Sequence, residues 1–372
     1  MNLSRLNMVR VLQVIGSLYL GGSQTMVMNL YRNIDRSKMQ FDFIIDHTVD
    51  MDFEEEIKSL GGKIYVMPTF KGHNILEVIR AWNQFFAVHP EYKVIHSHVR
   101  SYASVYLPIA KKYGLKTVIH SHSTSNGSGF PALVKMIMQY PLRYQADCYL
   151  SCSKDAGKWL FGDKVAAGEK FKILQNAIDI ADYQYSETGR EKIRKELKLD
   201  DEILFGHVGR FHESKNPIFL IEVFHQLHKQ MPKSKLVMVG DGELRKQIEE
   251  KIRQFGLEKD VYLLGTRNDV KMILQAMDCF LFPSCWEGVP VTVIEAQAAG
   301  LPCFVSDTVT KDVGASDLVR YLPIQNGTEP WVKAITETSL ERKNVTEEIK
   351  QAGFDITTTS KWLMNLYYEL MK

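Results

Sequence analysis

Short apolar runs rich in β-branched residues alternate along this chain with longer amphipathic stretches, and the pattern occurs twice. Amphipathic stretches such as 25–32 and 75–88 separate the runs of the first half. Because this alternation is typical of parallel sheets covered by helices, we predict an α/β fold with one sheet in each half. The predicted strands are 9–15, 41–45, 63–67, 93–97, 116–120 and 148–152, then 203–208, 235–240, 261–265, 279–283 and 302–306.

A chain of 372 residues is too long to fold around one ordinary hydrophobic core, so two domains are expected. A polar, charge-rich stretch between the two sheets is the best candidate for a linker. The last segment contains an apolar helix, and its residues leave open whether it caps the second domain or crosses back to the first. The expected parts are a Rossmann-like domain (1–180), the linker (181–200), a second Rossmann-like domain (201–350) and the terminal helix (351–372).

Composition excludes several classes of function. A net charge of +2 excludes a nucleic-acid surface made of bulk positive charge. Five cysteines without a CxxC pair favour buried, reduced thiols. Arg5 and Arg10 interrupt the N-terminal apolar stretch, and no segment approaches ~18 uncharged apolar residues, so we expect neither a signal peptide nor a membrane span. We therefore expect a cytoplasmic protein, either free or peripheral on the inner face of the cell membrane.

The segment 282–302, FPSCWEGVPVTVIEAQAAGLP, predicts a strand end, a tight loop and a helix. Pro290 suits the first position of that helix, and Gly300 suits its end. Free backbone N–H groups at the positive end of a helix can bind phosphate, and Glu287 and Glu295 can bind hydroxyls. The segment therefore predicts a sugar-nucleotide site, with loop and helix-start residues Gly288, Val289, Pro290 and Val291.

Two other strand-end loops carry groups that suit phosphate. Arg210 and Lys215 follow the first strand of the second domain and can converge on a diphosphate, where their charge would stabilise a leaving group. Gly21 and Gly22 follow the first strand of the chain, and without side chains they let backbone N–H groups approach phosphate. The alternative for the glycines is a plain strand-to-helix turn.

Two His-Ser-His triplets, 96–98 and 120–122, each lie at the end of a strand. Spacing by two puts both histidines of a triplet on one face of the sheet, and four converging imidazoles would suit zinc. However, no Asp or Glu stands beside either triplet to orient the rings, so we expect no metal there.

Asp50-Met51-Asp52 spells the DxD motif of metal-dependent glycosyltransferases, whose fold differs from the two-domain fold predicted here. Because Glu54 and the two glutamates after it predict the acidic first turn of a helix, we interpret these acids as solvated helix-start residues. We expect no metal and no cofactor to be needed for chemistry. The apolar segment 130–144, which carries one Lys and one Arg, either packs in the core or lies on a membrane surface.

The run E-G-V-P-V-T-V-I-E at 287–295 resembles the Glu-seven-Glu motif of retaining glycosyltransferases of family 4, which have the GT-B fold. The similarity covers nearly the whole chain and is greatest to EpsF-like enzymes of bacterial exopolysaccharide and capsule synthesis. Ala177 departs from the family, which usually has glycine there. The other motifs, in family order, are Gly21-Gly22-Ser23-Gln24, Asn176-Ala177-Ile178-Asp179, Gly209-Arg210-Phe211, Lys215-Asn216-Pro217, Gly240-Asp241-Gly242-Glu243 and Leu264-Gly265-Thr266.

The resemblance implies two Rossmann-like domains facing across a cleft, with the C-terminal helix crossing back to the N-terminal domain. It implies front-face attack rather than a covalent intermediate on Glu287, which would instead hold a sugar hydroxyl or stabilise the oxocarbenium-like state. Glu295 would bind the ribose diol, and His122 the donor sugar's 6-hydroxyl. Thr266 and Arg267 are placed on the donor side, and His98 and Asn176 on the acceptor side.

We therefore expect a retaining glycosyltransferase. It would move a hexose or N-acetylhexosamine from a UDP-sugar to a hydroxyl of a polyprenyl-diphosphate saccharide, in contact with an anionic membrane surface and with no nucleic acid as partner. The alternatives are a sugar-nucleotide epimerase or hydrolase of the same fold, and a non-catalytic protein that binds sugar nucleotides.

Overall fold

The computed structural model describes residues 8–19, 21–49, 51–123 and 129–372, and the rejected Asp50 lies outside them. The chain divides into two compact units, Met1–Ala177 with Ile356–Lys372, and Ile178–Asp355. We call them the first and the second unit. The expected linker is instead part of the second unit, because Ile193, Leu197 and Leu199 are buried in its core.

The first unit contains a parallel sheet with strands β1 Val9–Gly16, β2 Met39–Ile45, β3 Ile64–Val66, β4 Val94–Ser97, β5 Lys116–Ser121, β6 Cys148–Ser151 and β7 Phe171–Ile173. Its order is β3-β2-β1-β4-β5-β6-β7. The helices that follow these strands are α1 Gly22–Asn33, α2 Glu54–Ser59, α3 Ile75–Val88, α4 Ala103–Lys112, α5 Phe130–Gln139, α6 Leu142–Gln145, α7 Lys154–Phe161 and α8 Asp163–Ala166.

The second unit has the same design, with strands β8 Ile203–Val208, β9 Ser234–Val239, β10 Val261–Leu263, β11 Cys279–Phe282, β12 Cys303–Ser306 and β13 Val319–Leu322. Its parallel sheet has the order β10-β9-β8-β11-β12-β13. The helices are α9 Ile180–Tyr183, α10 Glu187–Glu196, α11 Pro217–Gln230, α12 Arg245–Phe255, α13 Val270–Ala276, α14 Val291–Ala298, α15 Glu329–Thr336 and α16 Thr346–Gln351.

Both sheets have the doubly wound topology of Rossmann-like domains, which confirms the predicted fold class. Each is buried on two faces, as Val11 and Leu12 show: these neighbours on β1 enter separate cores on opposite sides of the sheet. The strand order reverses between β1 and β4 in the first unit, and between β8 and β11 in the second. Ligands of such sheets bind at the carboxyl ends of the strands beside that switch point.

The last helix, α17 Ile356–Met371, packs on the first unit, as the resemblance implied. Leu363 and Tyr367 are buried there, and the Ser360 hydroxyl donates to the carbonyl oxygen of Asn33 over 3.1 Å. The helix covers the face of the sheet that carries Val11. Within the described ranges, no helix is both long and apolar enough to cross a membrane.

Candidate active site

Two loops meet at the switch point of the second unit. Lys215 ends a short 3-10 helix after β8, and Glu287 lies in the loop after β11. The Lys215 Nζ and Glu287 Oε1 atoms are 2.5 Å apart, and both side chains are largely buried. The backbone N–H of Cys285 donates to the carbonyl oxygen of Ser214 over 2.7 Å, which fixes one loop against the other. The structure therefore brings a predicted cation and a predicted carboxylate into direct contact.

Glycines allow the strand ends beside this pair to approach one another. A Cβ atom on Gly240 would lie 2.0 Å from the carbonyl oxygen of Gly209, and Gly240 has φ +138°, so a side chain cannot fit there. The Gly240 N–H donates to the carbonyl oxygen of Gly265 over 2.9 Å. The turns after β8, β9 and β10 are thus in direct contact with one another, and Thr266 follows the last of them in sequence.

Arg210 lies on the same loop as Lys215 but is far more exposed. Its side chain is 72 % exposed, and its guanidinium is 3.4 Å from Glu243 Oε2. Because an exposed ion pair contributes little stability, a phosphate could replace Glu243 at small cost. The two predicted phosphate-binding cations are therefore differently placed, one in a buried pair and one at the surface.

The helix start predicted at Pro290 lies one residue later. α14 begins at Val291, and Pro290 is its N-cap residue with extended backbone. The first N–H groups of a helix lack partners within it, so the Val291 N–H remains a candidate phosphate donor. The N–H groups of Gly288 and Val289, in the loop before the helix, remain candidates beside it. No described atom lies within 4 Å of where a Gly288 Cβ would be, so the approach to this backbone is open.

Glu295 has a partner that the sequence analysis missed. The Tyr183 hydroxyl donates to Glu295 Oε1 over 2.8 Å. Burial raises the pKa of the Glu295 carboxyl, and burial also raises the pKa of the Tyr183 phenol. The tyrosine thus orients the carboxylate and occupies one of its oxygens. The other oxygen would be the one to accept from a ligand hydroxyl.

Two further buried polar groups lie on or directly after the two strands that lead to this pair. His207 is fully buried on β8, and its Nδ1 is 2.9 Å from the carbonyl oxygen of Leu281. Burial lowers the pKa of His207 to about 4, so the ring is neutral at pH 7. Among the described residues, neither His207 Nε2 nor the buried Ser284 hydroxyl has a hydrogen-bond partner. A histidine inside the apolar run ILFGHV was the available signal for His207.

Arg267 is already held by carboxylates. Its guanidinium contacts both oxygens of Asp269, at 2.8 and 2.7 Å, and Glu196 Oε1 at 3.0 Å. The hydrogen bond to Asp269 is the main reason that the pKa of Arg267 is raised. The Arg267 guanidinium is therefore paired with these two carboxylates, and the phosphates of a nucleotide sugar would have to compete with them.

The remaining candidates lie in the first unit. Gly21 is the N-cap residue of α1, which begins at Gly22. His98 Nδ1 is 2.8 Å from His122 Nε2, so these two predicted residues lie together at the ends of β4 and β5. Asn176 follows β7, and no described residue forms a hydrogen bond with its buried Oδ1.

Comparison with known proteins agrees with the fold and these motifs. Residues 20–182 match the model of Glycosyltransferase Family 4, and residues 189–351 match the model of Glycosyl transferases group 1. The chain is 34% identical over 371 residues to the putative glycosyltransferase EpsF of Bacillus subtilis (strain 168), covering 96% of both chains. This chain therefore belongs to the family 4 glycosyltransferases, as the resemblance implied.

Two more similar proteins have more specific names. The chain is 26% identical to the UDP-Gal:alpha-D-GlcNAc-diphosphoundecaprenol alpha-1,3-galactosyltransferase of Escherichia coli, over 76% of each chain. The solved structure of Anabaena Alr3699/HepE in complex with UDP superposes with a TM-score of 0.78 at 18% identity, covering 97% of this chain and 100% of that one. This likeness shows that the chain has the GT-B fold.

Proposed function

We propose that this glycosyltransferase transfers a hexose or N-acetylhexosamine, with retention, from a UDP-sugar to a hydroxyl of a polyprenyl-diphosphate-linked saccharide. The pathway would be exopolysaccharide or capsule biosynthesis. The contact between Lys215 and Glu287 at the switch point carries the proposal, because it joins a phosphate-binding cation to a carboxylate that can bind a sugar hydroxyl. The name of the E. coli galactosyltransferase supports a lipid diphosphate acceptor, and the UDP complex of HepE supports the nucleotide.

In the proposed reaction, the acceptor hydroxyl attacks C1 of the donor sugar from the face that the diphosphate leaves. The bond between C1 and the diphosphate oxygen breaks as the glycosidic bond forms, and the hydroxyl proton passes to the leaving diphosphate. Lys215, with Arg210 and the N–H groups before α14, would stabilise the charge that develops on the diphosphate. Glu287 would leave Lys215 for a sugar hydroxyl or the oxocarbenium-like centre.

The other candidates would bind rather than react. Glu295, oriented by Tyr183, would hold the ribose diol. His122 would hold the sugar's 6-hydroxyl, while His98 and Asn176 would lie on the acceptor side. Because the proposed charge stabilisation comes from side-chain cations and helix N–H groups, we expect the transfer to need no divalent metal. Gly21 and Gly22 would let backbone N–H groups approach the donor phosphate.

A contact with an anionic membrane is part of the proposal. Helix α5 exposes Leu133, Met136 and Ile137, with Lys135 exposed between them. The exposed Tyr140 follows, with the Arg143 guanidinium 4.9 Å from the centre of its ring. Apolar side chains flanked by basic groups are typical of helices that lie on a membrane surface. Such a position would bring the enzyme to a lipid-linked acceptor.

Product analysis tests the proposal. Purified protein would be incubated with labelled UDP-galactose, UDP-glucose or UDP-N-acetylglucosamine, with and without an undecaprenyl-diphosphate monosaccharide. We expect label in the lipid product only when the acceptor is present, and an axial anomeric linkage by NMR. Epimerised nucleotide sugar or free sugar formed without acceptor would indicate an epimerase or hydrolase. UDP binding without turnover of any donor would indicate a non-catalytic binding protein.

A further inference from the structure

Four histidines in the first unit form a buried cluster that the proposed transfer does not fully use. They continue the apolar stripes of β4 and β5, since His96 and His98 follow Val94 on one face, and His120 follows Val118. The centres of the His96 and His120 rings are 5.4 Å apart, as are those of His98 and His120. The imidazoles therefore border the core between the sheet and α17, at the carboxyl ends of these strands.

Several nitrogen atoms of this cluster lack partners. Among the residues that the structure describes, none forms a hydrogen bond with His96 Nε2 or with either ring nitrogen of His120. His96 and His120 are 0 % exposed. A buried polar atom without a partner is destabilising, and three of them close together call for an ion or ordered water. This is the observation that points to a ligand.

Gln13 and Tyr367 supply the orienting partners that the sequence analysis expected to be missing. Gln13 Oε1 is 3.0 Å from His98 Nε2, and Gln13 Nε2 donates to the Tyr367 hydroxyl over 3.2 Å. The same hydroxyl is 2.6 Å from His96 Nδ1. When His96 donates this N–H, its Nε2 presents a lone pair. The other nitrogen of His98, Nδ1, is 2.8 Å from His122 Nε2 and would exchange that contact for the metal. Hydrogen bonds of this kind fix the tautomer and the ring orientation of metal-binding histidines.

We propose that His96, His98 and His120 form a binding site for one divalent transition-metal ion, Zn²⁺ by its ligand chemistry. One ring nitrogen from each residue lies within 4.8 Å of the other two. Zn–N bonds of about 2.0 Å at tetrahedral angles need nitrogen atoms roughly 3.3 Å apart. The rings would turn on binding, because those of His96 and His120 are stacked with 9° between their planes. His122 lies beside these three residues, with its ring centre 4.1 Å from that of His120.

The chemistry of this ligand set selects the metal. Neutral imidazoles favour zinc and its neighbours in the transition series, whereas Mg²⁺ and Mn²⁺ favour carboxylate, carbonyl and water oxygens. The site would therefore stabilise the first unit without serving as a Mg²⁺ site for the donor diphosphate.

Metal binding by the tag-free full-length protein tests this. We expect about one Zn²⁺ per chain after dialysis and mass-spectrometric metal analysis, a higher Tm with Zn²⁺ than with EDTA, and the visible absorption of tetrahedral Co²⁺ on cobalt loading. H96Q/H120Q should bind no metal and show the same Tm with Zn²⁺ as with EDTA. H47Q/H73Q, which removes two exposed histidines of the same unit, should behave like wild type.

Two outcomes would overturn the site. In the first, wild type binds neither Zn²⁺ nor Co²⁺ at micromolar concentrations, which would leave ordered water as the partner of the free nitrogens. In the second, H96Q/H120Q retains the wild-type stoichiometry. If H96Q/H120Q does not fold, the cobalt spectrum of wild type still decides, because octahedral surface binding lacks the strong tetrahedral absorption.

Discussion

Lys215 and Glu287 follow two neighbouring strands of one sheet, and their charged atoms lie 2.5 Å apart. The lysine Nζ is also 5.0 Å from the centre of the Phe282 ring, on the strand that leads to Glu287. An apolar surrounding strengthens the interaction of a cation with phosphate, because less water screens it. The contact with Glu287 thus holds the lysine side chain at the switch point, where the proposed reaction would exchange the glutamate for a diphosphate.

Removal of either basic side chain should slow the transfer. We expect Lys215→Ala and Arg210→Ala each to lower kcat by roughly 10²-fold or more, the scale of one lost transition-state donor. Steady-state kinetics with saturating UDP-sugar measures this. Lys229→Ala, on the exposed end of α11, is the matched control and should keep the wild-type rate. Wild-type kcat in both variants would contradict the proposed phosphate clamp.

Glu295 should act mainly on donor affinity. We expect Glu295→Gln to raise the KM for the UDP-sugar while kcat stays within about 3-fold, because a ribose contact is equal in ground and transition states. Tyr183→Phe should raise the same KM by a smaller factor, since it frees the carboxylate to turn. A collapsed kcat at unchanged KM would place Glu295 at the reacting centre instead.

The raised pKa of Glu295 also predicts how stability depends on pH. The folded protein holds this proton more tightly than the unfolded chain does. The group therefore costs no stability at low pH, and its cost grows as pH rises through the window between the two pKa values. Glu295→Gln should consequently have a higher Tm than wild type at pH 8, and the difference should shrink toward pH 4. An equal Tm difference at both pH values would contradict this.

The fold was largely predictable because strand and helix periods are local signals. The strands that the sequence analysis missed, β7 and β13, are both edge strands, and β7 has only three residues. The polar segment with α10 looked like a linker because few of its residues are apolar. It is fixed by contacts that have no local signal: Arg190 forms a 2.7 Å ion pair with Asp278, and Ile193 is buried.

The candidate site was predictable where a motif follows a strand. Lys215 and Glu287 were both expected, because neighbouring parallel strands present their carboxyl ends at the same edge of the sheet. The partners of these residues were not. Tyr183 and Glu295 are 112 positions apart, and Gln13 and Tyr367 are 354 apart. Only packing of distant helices against the sheets creates such pairs.

Chelation should leave the transfer intact. We expect EDTA to change kcat by less than about 3-fold, and added Mg²⁺ or Mn²⁺ to have no larger effect, because the proposed charge stabilisation comes from Lys215, Arg210 and helix N–H groups. The test is the transfer rate after dialysis against EDTA. Loss of activity that Mg²⁺ or Mn²⁺ restores would favour metal binding by Asp50 and Asp52 after all. Restoration by Zn²⁺ alone would instead implicate the histidine cluster.

Retention should occur without a glycosyl-enzyme. We expect the product to keep the donor's anomeric configuration by NMR, and intact-protein mass spectrometry with a slow fluorinated donor to show no added sugar. The physical reason is that the acceptor hydroxyl is proposed to attack C1 directly from the face that the diphosphate leaves, so no carboxylate has to form a bond to C1. Glu287→Gln serves as the blank for the mass measurement. A stable adduct on Glu287 in wild type would favour double displacement.

Binding to anionic membranes should depend on the basic groups of α5 and α6. We expect Lys135→Glu with Arg143→Glu to lower the fraction of protein that sediments with phosphatidylglycerol liposomes by at least about 10-fold, since each basic group near such a surface contributes about 1 kcal/mol. Lys229→Glu with Lys246→Glu, on exposed positions of the second unit, carries the same charge change and should sediment like wild type. Arg143 also stacks on Tyr140, so circular dichroism must show that the variant is folded. Wild-type sedimentation of both double variants would mean that the apolar face of α5 is not a membrane contact. A loss in both would mean that net charge, rather than this helix, controls the binding.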